Sequence, residues 1–318
     1  MNLPKHFLVV DIYRAFLKST AGLVLALFVL AHLGRWWWIF DLLTNIWPQM
    51  VLILTLCAVC LIADGRQSWG GLYLLLAFYG SLWIWPYYLP APTTAVGEPA
   101  VTILVSNVYQ HVDNIDQLRA LIAERDPDVI LLMEMIPDTY EAVQAIAQDY
   151  PYYLHEPRLT GNAVFSRLPP EHLDVHYWAG GRIDIELQLN IDGQSILFLA
   201  THARATRSGR EASERDLQLV DMARFVQNRD RPVVIAGDLN VTPWSSYYRD
   251  LLRHTDLYDN RYGRGLMPTW PVANFPWSLG MMPLDYVLTT PEVQVHTFER
   301  AADIDSDHYP LWVELSVR

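Results

Sequence analysis

Ser306-Asp307-His308-Tyr309-Pro310 is the stretch on which the reading of this sequence turns. Ahead of it, in fixed order, stand Ser106-Asn107, Met133-Glu134-Met135, Thr201-His202 and Gly237-Asp238-Leu239-Asn240. Leu284-Asp285-Tyr286-Val287-Leu288 falls between the last of these and the C-terminal fragment. Each sets one or two metal-ligand or acid–base side chains at the end of an apolar, strand-like run. A lone Asp-His pair carries no message. Six polar fragments at strand ends, spread over about 200 residues, describe one convergent site.

The runs between the fragments alternate in period. Strands are expected at 101–105, 128–133, 163–166, 183–189, 195–201, 233–236, 286–289 and 311–317. Helices are expected at 115–124, 139–148, 211–228 and 245–253. Asp192-Gly193 is a hairpin turn between two of the strands. Mixed helices and strands with hairpins give a layered α/β domain, two sheets covered by helices.

The side chains suit phosphoester chemistry. Glu134 ends an apolar strand, where a buried carboxylate needs a cation or a strong donor. With Asn107 and Asp307 it forms an oxygen-rich set suited to Mg²⁺ or Mn²⁺. Asp238 and Asn240 leave the strand on one face, two residues apart. One can hold or activate a water, and the other can donate to a phosphoryl oxygen. His308 follows Asp307, and Asp285 ends a separate fragment; a His oriented by a carboxylate is a suitable general acid or base. His202 is placed to donate to a phosphate oxygen or a leaving group. Arg204 and Arg207 follow it, and guanidinium groups bind phosphate bidentately. Taken singly, Glu134 also suits a solvated strand end, Asp238 an Asx turn, and each Arg or His an ordinary structural place. The order of all six fragments decides for a site. The other histidines read as structural.

The N-terminal part is a different material. Residues 16–90 carry only Lys18, Arg35, Asp41, Asp64 and Arg66 as charges. Apolar runs at about 17–34, 46–63 and 70–89 approach the roughly 20 residues that cross about 30 Å of hydrocarbon. Aromatic clusters at Trp36-Trp37-Trp38, Trp47, and Trp83, Trp85, Tyr87 and Tyr88 suit a membrane–water boundary. Three transmembrane helices are expected in residues 1–90, then a linker at 91–100 marked by Pro92, Gly97 and Pro99, then a domain at 101–318. Lys5, Arg14, Lys18 and Arg66 outweigh Arg35 and favour a cytoplasmic N-terminus. The domain would then lie outside the inner membrane, periplasmic or extracellular.

Cys57 and Cys60 are the only cysteines, and both fall in the second apolar run. A disulfide framework or a thiolate metal cage in the domain is therefore excluded. From residue 91 on the chain has 18 Arg and 32 acidic residues, a balance of −14. Such a field repels polyanions and argues against tight nonspecific nucleic-acid binding.

Asn107, Glu134, His202, the run 237–240, Asp285 and the run 306–308 together resemble the endonuclease/exonuclease/phosphatase superfamily, in the family's own order. Met133 stands where the family commonly has Gln before the Glu. The resemblance implies a four-layer α/β/β/α sandwich and a divalent metal held at Asn107 and Glu134 with help from Asp307. It implies acid–base or phosphate-binding roles for His202 and His308, support of His308 by Asp285, and alignment of water and phosphate by Asp238 and Asn240. The apolar runs, Val241-Thr242-Pro243-Trp244-Ser245 and Thr269-Trp270-Pro271 look like a bacterial membrane-anchored branch, some of whose members act on lipid-linked pyrophosphates. The expected function is a membrane-tethered, metal-dependent hydrolase of a phosphate ester or pyrophosphate. Its partners are the bilayer and a phosphorylated lipid, with no protein partner. Two alternatives stand beside it: a nuclease acting on DNA or RNA, and a catalytically silent binding protein.

The charge count fixes a test of topology. A C-terminal alkaline phosphatase fusion should be active and a C-terminal green fluorescent protein fusion dark; the reverse pattern places residues 91–318 in the cytoplasm.

Overall fold

A computed structural model describes residues 5–90, 97–109, 115–135, 140–157, 161–178, 181–274 and 276–318. Most of the expected linker, residues 91–96, lies outside the described residues, as do Phe275 and the start of the helix expected at 139. The chain divides into one unit of residues 1–86 with 244–246 and a second of residues 87–243 with 247–318.

The first unit is helical: α1 (Lys5–Ala31), α2 (Trp38–Leu42), α3 (Trp47–Ala63) and α4 (Gln67–Ser81). Among the described residues, Val10–Ala31 and Trp38–Ala63 are long and apolar enough to cross a membrane, with mean hydropathies of 1.7 and 2.3. Phe16, Leu23, Leu52 and Leu56 on these helices are exposed. The third expected span is not of that length. α4 has 15 residues, about 22 Å at 1.5 Å per residue against the roughly 30 Å needed. It ends at Ser81, and Pro86 beyond it cannot continue a hydrogen-bonded helix. Gly70 explains how closely α4 lies on α3: a Cβ there would stand 2.4 Å from Ile62.

The second unit is two packed mixed sheets flanked by helices. One sheet has the order β11-β12-β1-β2-β4-β3, with β1 Val101–Asn107, β2 Val129–Met133, β3 Tyr152–Glu156, β4 Asn162–Ser166, β11 Val293–Arg300 and β12 Leu311–Val317. The other has the order β5-β6-β7-β8-β10-β9, with β5 Pro170–Tyr177, β6 Ile183–Ile191, β7 Gln194–His202, β8 Val233–Asp238, β9 Tyr258–Asp259 and β10 Asp285–Thr289. The β1–β2 and β7–β8 pairs are parallel. Each is bridged by a crossover helix, α5 (Ile115–Arg125) and α7 (Gly209–Gln227), as parallel neighbours require. α6 (Tyr140–Ala147) and α8 (Ser246–Arg253) complete the helical layers.

Alternation assigns each strand side chain to a layer. Ile103 and Val105 face the middle with Leu131, Leu187, Phe198 and Val234. Leu104 points the other way, with Ile130 and Leu132, onto Leu118, Leu121 and Val143 of the α5–α6 layer. Leu199 and Ile235 likewise meet Leu219, Met222 and Phe225 of α7. Strands buried on both faces need no polar alternation, which is why 129–133 is an unbroken apolar run. The start of α7 is set by a reciprocal cap. Ser208 Oγ accepts from Glu211 N at 3.3 Å, and Glu211 accepts from Arg207 N at 3.0 Å.

One ion pair is fully enclosed. Arg261 donates to Asp259 at 2.7 and 3.0 Å. Tyr248 and Tyr87 add hydroxyl bonds to the same carboxylate at 2.7 and 3.2 Å. The guanidinium lies 4.0 Å over the Tyr286 ring. Arg261→Met would strand the Asp259 charge and should cost about 3–5 kcal/mol. Denaturant unfolding of the purified chain measures this, and a loss under 1 kcal/mol would show that water or another cation replaces the arginine.

Candidate active site

The expected residues gather where the two parallel pairs end. In β1–β2, Asn107 pairs with Met133, so Glu134 lies one step beyond. In β7–β8, His202 pairs with Asp238. β10 enters antiparallel beside β8 and sets Asp285 opposite Asp238. Gly237 makes the second pair possible: with φ +140°, a Cβ there would lie 1.9 Å from the Thr201 carbonyl oxygen. Glu134 adopts φ +62°, a conformation costly for a residue with a side chain. Its neighbour fixes it, since Met135 N donates to Gly161 O at 2.8 Å and Met135 O bonds His155 Nε2 at 2.7 Å.

Side chains cross between the sheets at this point. Asn107 Nδ2 donates to Glu134 Oε1 at 3.1 Å and to Asp238 Oδ2 at 3.3 Å. Its Oδ1 accepts from Tyr109 N at 3.1 Å. Asn107 was expected among the metal ligands; here its oxygen is engaged and its nitrogen faces two carboxylates. Asp238 Oδ1 accepts from Asn240 N at 2.7 Å, and Oδ2 accepts from Asn240 Nδ2 at 3.1 Å. Asn240 Nδ2 also donates to Ala203 O at 2.9 Å. The Asx turn and the site geometry are thus the same structure.

His308 is buried and donates from Nδ1 to Asp285 Oδ2 at 2.8 Å. Its Nε2 faces Asp238 Oδ2 at 3.8 Å and Asp307 Oδ1 at 4.0 Å. Burial opposes charge on the ring, but Asp285, Asp238 and Asp307 outweigh it and push His308 up to about 10. Asp238 is pushed up to about 7, first by burial and then by Asp285, with His308 pulling the other way. The two groups form a charge-coupled pair across 3.8 Å.

Asp307 Oδ2 accepts from Trp270 Nε1 at 2.8 Å, whereas Oδ1 is buried with no hydrogen-bond partner. Burial raises its carboxyl above the usual range; His308 and Trp270 oppose this, and the charges of Glu134 and Asp285 add to it. A partnerless carboxylate oxygen in the field of a second carboxylate fits a hard divalent cation. Asp238, Asp285 and His308 also offer ligand atoms within 4.8 Å of one another. The geometry also suits an acid–base array, because His308 Nδ1 already donates its proton to Asp285 Oδ2.

His202 places Nε2 3.6 Å from Glu134 Oε1. Below it is a buried polar layer that sequence reasoning missed. Asp184 Oδ1 accepts from His202 N at 3.3 Å, and Oδ2 accepts from Trp178 Nε1 at 2.7 Å and Gln218 Nε2 at 3.1 Å. Arg182 donates to His202 O at 2.6 Å. The available signal was an acid inside the apolar run Ile183-Asp184-Ile185. Arg204 and Arg207 were expected near phosphate. Arg204 is turned toward Glu211 and Glu214 of α7, at 3.6 and 3.7 Å, and Arg207 is exposed. A cavity of 630 Å³ at the opposite end of β8 is lined by Arg229, Arg231 and Arg253. Each of these is paired with an acid, Glu186, Asp230 and Asp250 in turn, so the cavity is no rival phosphate site.

The chain belongs to the Endonuclease/Exonuclease/phosphatase family, whose model matches residues 106–308. Members of this family are phosphoester hydrolases. A Caenorhabditis elegans protein named "Putative neutral sphingomyelinase" is 28% identical over 159 residues, 42% of this chain. The match spans only 36% of that relative's length. The fold is similar to that of D. rerio TDP2 complexed with single strand DNA product, with a TM-score of 0.59 and 17% identity over 68% of this chain and 99% of that one. An endonuclease/exonuclease/phosphatase from Bacteroides vulgatus gives a TM-score of 0.56 and 18% identity over 69% of this chain and 99% of that one.

Gly237→Ala should remove most of the folded protein. The clash is with backbone, and the φ of +140° is itself unfavourable for alanine. A loss above about 3 kcal/mol is expected; near-native stability on chemical unfolding would show that β7 and β8 can separate without harm.

Proposed function

We propose that this protein is a membrane-tethered, Mg²⁺-dependent hydrolase of a phosphate ester or pyrophosphate, lipid-linked in the leading case. The observation that carries the reading is the buried Asp285–His308–Asp238 array beside the Glu134–Asp307 carboxylate pair. Glu134 and Asp307 would hold the cation, and Asn107 would steady Glu134 through its Nδ2 bond. When bound, the cation supplies charge stabilisation for a phosphoryl oxygen and the leaving oxygen. Asp238, poised at about 7, accepts a proton from the attacking water. Asp285 orients the His308 ring through Nδ1, and the protonated ring donates from Nε2 to a phosphoryl oxygen. His202 adds a donor near the crowded phosphorus centre, and Asn240 holds the Asp238 carboxylate in place through its N and Nδ2 bonds.

The N-terminal apolar helices support the tether, and the charge pattern of the first 66 residues supports a domain outside the inner membrane. The balance of −14 after residue 91 makes long nucleic acids poor partners. A relative named for a sphingolipid substrate points the same way. The nuclease reading keeps one observation in its favour, the fold it shares with a protein solved with single strand DNA product.

Turnover of a lipid pyrophosphate, plasmid DNA and a generic diester by the full chain, with and without Mg²⁺, tests the reading. Excess EDTA should abolish activity. His308→Ala and Asp238→Asn should each lower kcat by at least about a hundredfold with native circular dichroism. Full turnover in EDTA, or losses under tenfold, would remove the mechanism, and preferred cleavage of DNA would install the nuclease.

A further inference from the structure

We infer that the loop between Trp270 and Met282 is a bilayer-docking element that seats the active site on the membrane surface. Its amino acids are unlike those of the domain around it. Residues 265–284 contain no Asp, Glu, Lys or Arg, in a domain with 32 acids and 18 arginines. At the tip, Trp277 is 79% exposed and Leu279 is 62% exposed. They sit on a short 3-10 turn, Trp277–Gly280. Exposed tryptophan and leucine on an uncharged projection suit the headgroup–acyl boundary. An acidic domain would be repelled by an anionic bilayer everywhere else. The uncharged loop is the part that can approach it without an electrostatic penalty.

The loop is closed at its base and tied to the chemistry on both legs. Trp270 N donates to Met282 O at 3.0 Å, and Met282 N returns a bond to Trp270 O. On the outgoing leg, Trp270 Nε1 bonds Asp307 Oδ2 at 2.8 Å and Val272 N bonds Asp307 O at 2.9 Å. The returning leg runs through Leu284 into Asp285, the partner of His308, and both residues' N–H groups lie 3.3 Å from Thr269 Oγ1. A tip held in a lipid surface therefore fixes the position of Asp307 and Asp285 relative to that surface. The partner is the bilayer itself, and the substrate it implies is a phosphoester whose apolar part stays in that bilayer. The docking stands on the loop alone; the substrate class rests on the phosphoesterase reading.

The test uses the full chain reconstituted in vesicles of phosphatidylcholine and phosphatidylglycerol. Leu279→Cys, in a Cys57→Ala/Cys60→Ala background, carries an environment-sensitive fluorophore. A blue-shifted emission quenched by lipids spin-labelled near the headgroup is expected. Aqueous emission without lipid quenching overturns the inference, as does a shift that grows with the protein-to-lipid ratio, which would mark contact with a second copy. In the second arm, Trp277→Ser/Leu279→Ser should lower kcat/KM for a bilayer-embedded phosphoester by about tenfold or more. Turnover of a short-chain, water-soluble analogue should be unchanged. Equal loss on both substrates, or on neither, overturns the coupling. Lipid quenching in a chain that hydrolyses neither substrate would uphold docking and sink the phosphoesterase reading instead.

Discussion

Parallel pairing at two places is the constraint from which the site follows. A parallel pair sets two strand C-termini side by side, and its crossover helix leaves those ends open. β1–β2 delivers Asn107 and Glu134, and β7–β8 delivers His202 and Asp238. Packing the sheets face to face then brings the four ends together, close enough for Asn107 Nδ2 to reach Asp238 at 3.3 Å. The antiparallel neighbour of each pair adds the rest. β10 starts at Asp285 beside Asp238, and the turn before β12 carries Asp307 and His308. A one-residue slip in β7–β8 would turn His202 and Asp238 to opposite faces. Gly237 guards that register, because the chain can come this close to Thr201 O only without a side chain.

The site concentrates negative charge. Asp238, Asp285 and Asp307 surround the His308 imidazole, and Glu134, beside His202, acts on Asp238 and Asp307. Burial first, and then their mutual repulsion, raises the carboxyls of Asp238 and Asp307, and the carboxylates around His308 outweigh its burial and hold its proton tightly. A divalent cation between Glu134 and Asp307 would relieve both. It would cancel much of the field that holds the His308 proton and bring the ring closer to neutrality. On the proposed reading, cation binding and the readiness of His308 to release a proton would be coupled through Asp307, 4.0 Å from Nε2.

The central strands and all four outer helices were legible because double burial leaves apolar runs and single burial leaves helical stripes. The edges were not. β3, β5, β9 and β11 form the margins of the two sheets, and none was read as a strand. Edge strands such as Pro170–Tyr177 are half-exposed, carry charge, and start with proline, the usual defences against edge pairing. Their strand character comes from the neighbour, not from their own pattern. The third apolar run failed for the opposite reason. Its composition suits a span, but Pro86 ends the usable length. The polar residues that gather at the strand ends were visible from type and order. The groups that orient them, Asp184, Arg182 and Trp270, were not, since each contact joins residues whose separation the sequence does not state.

Carboxylate density of this kind works against folding. Each buried acid costs solvation, and Asp307 Oδ1 and Asp285 Oδ1 gain no hydrogen bond in return. The contrast with Asp259 is instructive. That carboxyl is more deeply buried than Asp307, yet Arg261 and two tyrosines complete its bonds, and it is held below the usual range despite its burial. The Asp259 cluster is complete as it stands and serves structure. In the Asp307 cluster Oδ1 has no hydrogen-bond partner, while Oδ2 accepts from Trp270 Nε1 at the root of the uncharged loop. The two carboxyls thus differ in what completes them: protein groups on both oxygens of Asp259, and an indole on one oxygen only of Asp307.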